Sequence, residues 1–389
     1  MPSDQFGLAE VALPLPPVNH LSAGMHHAAH ETTSKVKLSL SFFSNDDRGK
    51  PGADNYRLLL DATKFADRNG FEAVWLPERH FHAFGGLFPN PSVLAAALST
   101  VTTKIGLRAG SVVSPLHNPI RIAEEWAVID NLSNGRVGIS FAAGWNANDF
   151  ILSTTEFEAR RERVSSDVDV VRKLWQGDDV IISDRPVKTF PRPMQHSLPI
   201  WLTTTGRPES FIAAGRIGAN VLTHLRGQEL NELPAKIELY RRSRKESGYD
   251  GEGQVTLMMH TYVHEDRVRA IKDIQQPLMA YLGSSLDLTH ASTKRVKHER
   301  RNSATAAALR DAMLLEACER YMNESGLFGT PQDVIATVEQ LDRAGVDEIA
   351  CLVDFGVDYT NAMASLSLLA DIKNSLAVRH RSDHVRQSD

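Results

Sequence analysis

The stretch EAVWLPERHFHAFGG, residues 72–86, begins the part of the chain that decides the fold, and this part continues to FAAGWNANDF at residues 141–150. Three short apolar runs within it, Ala73–Leu76, Ile105–Val113 and Val137–Ala143, alternate with two longer patterns of helical period. Repeated strand–helix units of this kind predict a parallel sheet covered by helices. Each run ends in a polar or aromatic cluster. Because ligands gather at the carboxyl ends of parallel strands, we expect one shared site there.

Five further apolar runs extend this alternation, so that eight predicted strands alternate with helices. The runs are Val36–Phe43, Leu198–Thr203, Asn220–Leu225, Val255–Val263 and Val346–Phe355. Helices are expected at Ala53–Asn69, Pro91–Thr103, Pro119–Leu132, Phe157–Gln176, Pro208–Gly218, Glu229–Gly248, Pro331–Ala344 and Tyr359–Val378. This pattern predicts a (β/α)8 TIM barrel with insertions. A doubly wound open sheet is the alternative, but the first strand–helix turn lacks the GxGxxG pattern of a dinucleotide site.

Three segments stand apart from the regular alternation in the predicted barrel, which takes up residues 35–378. Residues 1–34 are rich in Ala, Pro, Ser and His, and we expect them to form a mobile or surface-draped extension. The polar stretch Ser284–Thr305 is expected to be an insertion, either a lid over the site or a solvated loop. Residues 379–389 are expected to form a polar tail.

Composition narrows the class of function. The 389 residues carry a formal net charge of −5, which argues against a nucleic-acid-binding protein. No apolar run approaches the roughly 20 residues that cross a bilayer, and no secretory signal pattern is visible, so no membrane partner is expected. Cys318 and Cys351 are far apart and lack metal-ligand spacing, which predicts a reduced, cytoplasmic protein without a metal site.

The sequence TTTGRPES at residues 203–210 has the properties of a phosphate-binding turn. Hydroxyl donors, a glycine for close approach, Arg207 as a charged clamp and Pro208 at the start of a helix all favour an anion at the helix N-terminus. The alternative is ordinary capping of the helix by Thr205, with Arg207 in solvent.

Glu78 and His80 directly follow the second predicted strand and suit proton transfer, because histidine changes charge near neutral pH. The alternative is structural, with Glu78 paired to Arg79 and His80 bonded to a backbone carbonyl. A catalytic role is favoured because further polar residues follow the fourth and eighth strands. These residues are Trp145, Asn146, Asn148, Asp149 and Asp354.

The source of the reaction chemistry is expected to be an organic cofactor. The sequence has no GxSxG elbow, no HExxH motif and no carboxylate-rich metal cluster that would supply it from side chains or metals alone. Trp145 and Phe81 have the properties to flank a planar ring, and the alternative is that they belong to the core.

Several separated motifs resemble the bacterial luciferase-like, flavin-dependent monooxygenases. They are PERHFHAFGG, GSVVSPLHNPIRIAEEWAVIDNLSNGRVGIS and GWNANDF, in that order. Later pieces, PRPMQHSLPIWLTTTGRPESFIAAGRIGANVLTHL, VTLMMHTYV and FGTPQDVIATVEQLDRAGVDEIACLVDFGVD, resemble the subgroup of natural-product biosynthesis that accompanies non-ribosomal peptide and polyketide synthases. The resemblance covers roughly residues 36–375 and is specific to family and subgroup but not to substrate.

This resemblance implies a monooxygenase that binds reduced FMN supplied by a separate NAD(P)H flavin reductase. In such enzymes O2 adds at the flavin C4a carbon, and the resulting peroxyflavin hydroxylates a substrate or inserts oxygen beside a carbonyl. The implied substrate is a natural-product intermediate, either a free small molecule or one tethered to a carrier protein, and the implied assembly is a homodimer.

The resemblance also assigns roles by position. Glu78, His80 and Asp149 are the implied catalytic residues. The implied cofactor-binding residues are Gly110, Ser111, Trp145, Asn146, Arg160, Thr204, Thr205, Gly206, Arg207, Ser210, Thr223 and His224, with a cis peptide bond expected at Gly110–Ser111. The implied substrate contacts are Phe42, Phe81, Asn148 and Asp354.

Two departures from the luciferases limit what the resemblance implies. The chain has Arg79-His80 where luciferases have two adjacent histidines, so light emission from a long-chain aldehyde is not expected. Ala143 stands where luciferases have an arginine near the FMN phosphate, and Arg207 or Arg160 is expected to replace it. A deazaflavin-dependent oxidoreductase and a non-catalytic flavin-binding partner subunit are the alternative functions.

Overall fold

The structure is a computed structural model that describes residues 35–44, 51–225, 227–292 and 304–386. The predicted N-terminal extension, residues 1–34, lies outside the described residues, as do residues 293–303 of the predicted insertion. Among the described residues, no helix combines the length and the apolar character needed to span a membrane.

Eleven strands and ten α-helices alternate along the described chain. The strands are β1 (Lys37–Ser41), β2 (Ala73–Leu76), β3 (Gly106–Val113), β4 (Val137–Ala142), β5 (Val180–Ile182), β6 (Arg185–Val187), β7 (Ile200–Thr203), β8 (Asn220–His224), β9 (Val255–Val263), β10 (Leu327–Gly329) and β11 (Glu348–Leu352). The helices are α1 (Arg57–Arg68), α2 (Pro91–Ser99), α3 (Pro119–Ser133), α4 (Arg160–Gln176), α5 (Pro208–Arg216), α6 (Leu233–Glu246), α7 (Arg267–Ser292), α8 (Ala304–Glu324), α9 (Pro331–Arg343) and α10 (Tyr359–Arg386).

Eight of these strands close into a parallel barrel. The neighbours run in the order β9-β11-β1-β2-β3-β4-β7-β8, and β8 pairs back onto β9. Lys37 is opposite Glu348 where β1 pairs with β11, and Val221 is opposite Val255 where β8 pairs with β9. The predicted (β/α)8 barrel is therefore confirmed, and all carboxyl strand ends lie on one face.

Helix starts follow the sequence signals closely. Asn90 caps α2 by accepting hydrogen bonds from the backbone N–H groups of Ser92 and Val93, and Asn118 caps α3 in the same way. Each of these helices has proline at its first position, where the missing N–H costs nothing. Thr330 and Asp333 form a reciprocal capping box on α9. These caps fix where the loops of the carboxyl face end.

Four parts of the chain differ from the sequence expectation. The segment after α4 contains an antiparallel hairpin of β5 and β6, which is absent from the predicted strands. The short strand β10 extends the sheet by pairing with the end of β9. The predicted insertion at 284–305 is helical at both ends, since α7 reaches Ser292 and α8 begins at Ala304, while residues 293–303 lie outside the described part. Helix α10 also extends to Arg386, into the predicted tail.

The lower half of the barrel interior is filled by side chains. Trp75, Trp201, Leu222 and Ala350 form a buried cluster inside the strands, with the two indole rings packed edge to face at 5.2 Å between centroids. Below them Glu348, which is fully buried, accepts hydrogen bonds from Ser39, Trp75, Arg108 and Gln254. We call this cluster and Glu348 the interior plug. Because the interior plug fills the amino-terminal half of the barrel, a site is expected in the carboxyl half.

Candidate active site

Glu78, just beyond β2, is the centre of a buried hydrogen-bond cluster. Its Oε1 lies 2.8 Å from His80 Nε2 and 2.6 Å from His117 Nε2, while Oε2 accepts the backbone N–H of Val113 at 2.8 Å. Burial alone would raise the pKa of Glu78, but hydrogen bonds from His117 and His80 hold it below its ordinary value. Glu78 is therefore an anion that fixes two imidazole rings. The structural alternative, in which His80 is bonded to a backbone carbonyl, differs from the contact of His80 Nε2 with the Glu78 carboxylate.

Asp149 lies close enough to this cluster for its charge to act on it. Burial raises the pKa of Asp149, the nearby charges of Arg79 and His80 lower it, and the net shift is upward. Asn146 donates its side-chain N–H to Asp149 Oδ1 at 2.7 Å and caps the short helical turn that follows β4. Trp145 is 44% exposed and lies over the Arg79 guanidinium at 4.8 Å from the ring centroid. These four residues join the ends of β2 and β4.

A row of hydroxyl groups crosses the barrel at the ends of β3, β4 and β7. Thr203 Oγ1 lies 2.7 Å from Ser140 Oγ and donates to Ser111 Oγ at 2.9 Å. The Gly110–Ser111 peptide bond is cis, as the resemblance implied. A Cβ atom on Gly110 would come within 3.1 Å of the Trp75 indole, so glycine is what allows the chain to lie directly on the interior plug. The row therefore forms the floor of the open half of the barrel.

The predicted phosphate turn joins β7 to α5. Arg207 occupies the N-cap position without a side-chain capping bond, so the helix N-terminus keeps N–H groups for an anion. Gly206 adopts φ of +90°, and a Cβ atom there would come within 2.8 Å of the Gln228 amide. Thr205 and Arg207 are exposed, and the Arg207 guanidinium lies 3.5 Å from Glu209. The expected alternative of a Thr205 cap is not observed.

Side chains behind this turn hold it in place. Thr204 Oγ1 accepts the Gly206 N–H at 3.3 Å, and Thr223 Oγ1 donates to the Thr204 carbonyl at 3.1 Å. Gln228 donates to Thr223 Oγ1 and to the His224 carbonyl. Lys236 in turn donates to Gln228 at 3.1 Å, and it brings a positive charge behind the turn. Ser210 lies in the first turn of α5.

Arg160 supports the turn after β4 in this structure. Its Nε donates to the Gly144 carbonyl at 3.1 Å, its Nη1 donates to the Phe157 carbonyl at 2.5 Å, and the guanidinium lies 3.6 Å from the Phe157 ring centroid. Burial, and secondarily the charge of Arg161, lowers its pKa. A contact between Arg160 and a phosphate stays a prediction.

An aromatic wall lies on the other side of the face, where β1, the loop after β2 and α7 meet. Phe43 packs against Phe84 at 4.8 Å and Tyr281 at 6.1 Å between ring centroids, and the Arg79 guanidinium lies over Phe43 and Phe84. His260, on β9, packs edge to face on Tyr281. We call Phe43, Phe84, Tyr281 and His260 the aromatic wall.

All four predicted substrate contacts need comment. Phe42 is a correction: it is only 1% exposed within the core between strands and helices, and its neighbour Phe43 belongs to the aromatic wall. Phe81 is 62% exposed and Asn148 is exposed, so both lie at the outer rim. Asp354 is buried and accepts hydrogen bonds from the Phe43 N–H and the Ser44 hydroxyl, and burial raises its pKa to about 6. It therefore holds the end of β1 in place.

Among the residues that contribute to these clusters, His117, Ser140 and Gln228 were missed by the sequence analysis. His117 and Gln228 lie in loops whose pairing with Glu78 and Thr223 depends on tertiary contacts. Ser140 could have been found from strand alternation, since it belongs to the predicted strand next to the strand that carries Ser111.

Comparisons with known proteins identify the family of the chain. A family model described as luciferase-like monooxygenase matches residues 37–348. The flavin-dependent trigonelline monooxygenase, oxygenase component, of Acinetobacter baylyi is 27% identical over 328 residues, covering 80% of this chain and 87% of the relative. The 4-hydroxyprotoasukamycin monooxygenase of Streptomyces nodosus subsp. asukaensis is 25% identical over 246 residues, covering 59% and 65%.

Solved structures share the fold. The oxygenating constituent of 3,6-diketocamphane monooxygenase, a type II Baeyer–Villiger enzyme from Pseudomonas putida in complex with FMN, superposes with a TM-score of 0.69 at 15% identity, covering 86% of this chain and 97% of that one. The family match and the named relatives lead to the same assignment. We conclude that the chain belongs to the luciferase-like monooxygenase family and is a flavin-dependent monooxygenase.

Proposed function

We propose that the enzyme uses reduced FMN and O2 to oxygenate a natural-product biosynthetic intermediate. The observation that carries this proposal is the convergence of two features on one barrel face. One is the phosphate turn at the start of α5, and the other is the acid–base cluster around Glu78. In a barrel enzyme a cofactor phosphate at the later strands orients the reactive ring towards catalytic groups at the earlier strands.

The residues present fit FMN. The uncapped N-terminus of α5, the close approach at Gly206 and the Arg207 side chain would hold the phosphate, with Thr205 and Ser210 as hydroxyl donors. The hydroxyl row from Ser111 to Ser140 would line the ring system. Bound reduced FMN would supply the electrons that split O2, with one oxygen atom entering the substrate and the other leaving as water.

The chain itself supplies proton transfer and orientation. Glu78 holds His80 in a position to accept a proton from the substrate. The charges of Arg79 and Asp149 determine the local electrostatic environment. The aromatic wall suits a planar or unsaturated substrate, because aromatic rings pack well on such surfaces. The streptomycete relative, named for a natural product, supports a substrate of this class. We extend the proposal to substrates tethered to a carrier protein.

We also propose a separate flavin reductase as partner, because the Acinetobacter relative is named as an oxygenase component. The free, buried Cys318 and Cys351 fit the reducing cytoplasm that such a pair of enzymes needs.

We further propose a homodimer that forms through α2 and α3. These helices pack against each other and carry exposed Val93, Val128 and Leu132. Met194, also exposed, is held beside α3 because its backbone N–H donates to Asp130. Apolar side chains on neighbouring elements favour burial against a second copy.

The first experiment separates the flavins and then tests oxygenation. Anaerobic titration with reduced FMN and with a reduced deazaflavin should show binding of FMN alone. A reductase-fed reaction under 18O2, with polyketide and peptide intermediates offered free and carrier-bound, should give a product that is heavier by one labelled oxygen. Binding of only the deazaflavin would overturn the FMN proposal. Flavin oxidation that releases only hydrogen peroxide with every substrate offered would count against an oxygenase of this class.

A further inference from the structure

The Glu78 carboxylate joins a shielded histidine to a more open one. The Glu78 side chain is 0% exposed, that of His80 is 12% exposed and that of His117 is 33% exposed. Both histidines approach the same oxygen, Oε1, through Nε2. An ionised carboxylate only accepts hydrogen bonds, so both Nε2 atoms carry a hydrogen, and each ring keeps Nδ1 as its second proton site.

The surroundings of the two rings differ. Burial alone would lower the pKa of His117, but its hydrogen bond to Glu78 and the charges of Glu78, Glu125 and Asp167 raise it above its ordinary value. Glu125 lies on α3 and Asp167 on α4, so the negative groups surround His117 from both helices. Arg163 is the cation paired with Asp167, at 2.6 Å.

On the other side of the carboxylate, His80 shares its surroundings with Arg79 and Asp149. Arg79 is a buried permanent cation, and Asp149 is a carboxyl group whose pKa is raised by burial. A second positive charge on His80 would therefore lie near Arg79 and compete with His117 for a single carboxylate.

We propose that His117 is a positioning residue that holds the proton belonging to the Glu78 pair, which leaves Nδ1 of His80 to accept a proton from the substrate. In this step an O–H bond of a substrate hydroxyl or enol breaks, the electron pair stays on the substrate oxygen, and the proton moves to His80 Nδ1. It passes to water after turnover. The inference rests on the function proposed above for the role of His80, but the arrangement of charge is a property of the cofactor-free protein.

Two substitutions at one position separate charge from hydrogen bonding. His117→Gln keeps a donor to Glu78 and removes the charge, whereas His117→Lys keeps both. His196→Gln is the matched control, because His196 is exposed and lies in the segment that precedes β7. The first readout is an NMR titration of the histidine rings in the cofactor-free protein, and the second is the pH profile of kcat.

In the native protein, His117 should titrate at a higher pH than the histidine of an unstructured reference peptide in the same buffer, because the Glu78 carboxylate raises its pKa. In His117→Gln, His80 is the one imidazole ring of this pair that remains beside the Glu78 carboxylate. The pH at which His80 takes up a proton and the acid limb of the kcat profile should therefore both rise by about one pH unit, with KM little changed. His117→Lys should restore the native acid limb, and His196→Gln should leave both readouts unchanged.

Identical His80 titration in native protein and His117→Gln would overturn the inference, whatever reaction the enzyme performs. If His117→Gln does not fold, the native titration decides, because His117 titrating at or below the pH of the reference peptide would overturn the inference as well. A shifted titration in a protein that oxygenates nothing would support the arrangement of charge and overturn the proposed function instead.

Discussion

Arg207 and Arg242 are both exposed arginines that lie beside a glutamate, yet only Arg207 lies at a helix N-terminus next to Gly206. If Arg207 contacts the cofactor phosphate, Arg207→Ala should weaken binding of reduced FMN by roughly 1.5–3 kcal/mol, the worth of a charge-assisted hydrogen bond. Anaerobic fluorescence titration measures this affinity. Arg242→Ala should bind FMN like the native protein, and equal affinities in all three proteins would remove Arg207 from the site.

Single positions show where sequence reasoning succeeds and where it fails. Glu78 and His80 could be identified from the sequence because they directly follow a strand, and strand ends converge in a barrel. His117 could not, since its contact with Glu78 spans 39 positions and depends on the path of the loop after β3. Phe42 was expected at the site, but it packs into the core, while the next residue, Phe43, follows the end of β1 and belongs to the aromatic wall.

At the scale of elements, Asp67 connects α1 to the turn before β3. Its carboxylate accepts the backbone N–H groups of Thr103, Lys104 and Ile105. Burial raises the pKa of Asp67, but these hydrogen bonds outweigh it and lower the pKa below the ordinary value. Asp67→Asn should reduce the free energy of unfolding at pH 7 by about 1–3 kcal/mol, because an amide oxygen replaces a charged acceptor.

The sign of the pH dependence follows from the lowered pKa. The contribution of Asp67 is complete above the unfolded-state pKa, about 3.9, and is lost as pH falls through the lower folded-state value. Urea unfolding should therefore show the gap between native protein and Asp67→Asn closing below about pH 4. Asp169→Asn, in an exposed ion pair with Lys173, should change stability by less than about 0.5 kcal/mol. A gap that stays constant down to pH 2 would contradict the assignment.

Prediction of strands and helices was accurate for elements long enough to show a regular pattern of apolar residues. All eight barrel strands were predicted, since each is a run of apolar residues between turn signals. The strand β10 was missed because three residues carry no measurable alternation, and it forms only because β9 offers a free edge at Thr261–Val263. The helical ends of the predicted insertion were missed because a polar composition conceals helix period.

At the scale of the whole molecule, Glu348 ties four parts of the barrel together at its amino-terminal end. Ser39, Trp75, Arg108 and Gln254 all donate to it, and its side chain is fully buried. Glu348→Ala would leave the Arg108 guanidinium in the interior with Glu72 as its remaining ion-pair partner among the described residues, so we expect a loss of about 3–5 kcal/mol in unfolding free energy. Glu238→Ala, which removes an exposed ion pair, is the control. A loss below about 1 kcal/mol for Glu348→Ala would contradict this role.

Assembly is the property of the whole molecule that the sequence indicated only through family resemblance, because it depends on which side chains the fold leaves exposed. Val128 and Leu132 lie one helical turn apart on α3 and are 43% and 52% exposed. If α2 and α3 form the dimer face, Val128→Glu with Leu132→Glu would bury carboxylates in an apolar interface. The cost of several kcal/mol should weaken association at least about a hundredfold.

Sedimentation velocity measures this directly against the chain mass of 43.0 kDa. The native protein should sediment at twice that mass, and the doubly substituted protein at the single-chain mass with unchanged circular dichroism. Ile181→Glu, which introduces a charge at a more exposed apolar position on the β5–β6 hairpin, should leave the dimer intact. A native protein that is monomeric at all concentrations would overturn the proposed assembly, and a double variant that remains dimeric would place the interface on another face of the barrel.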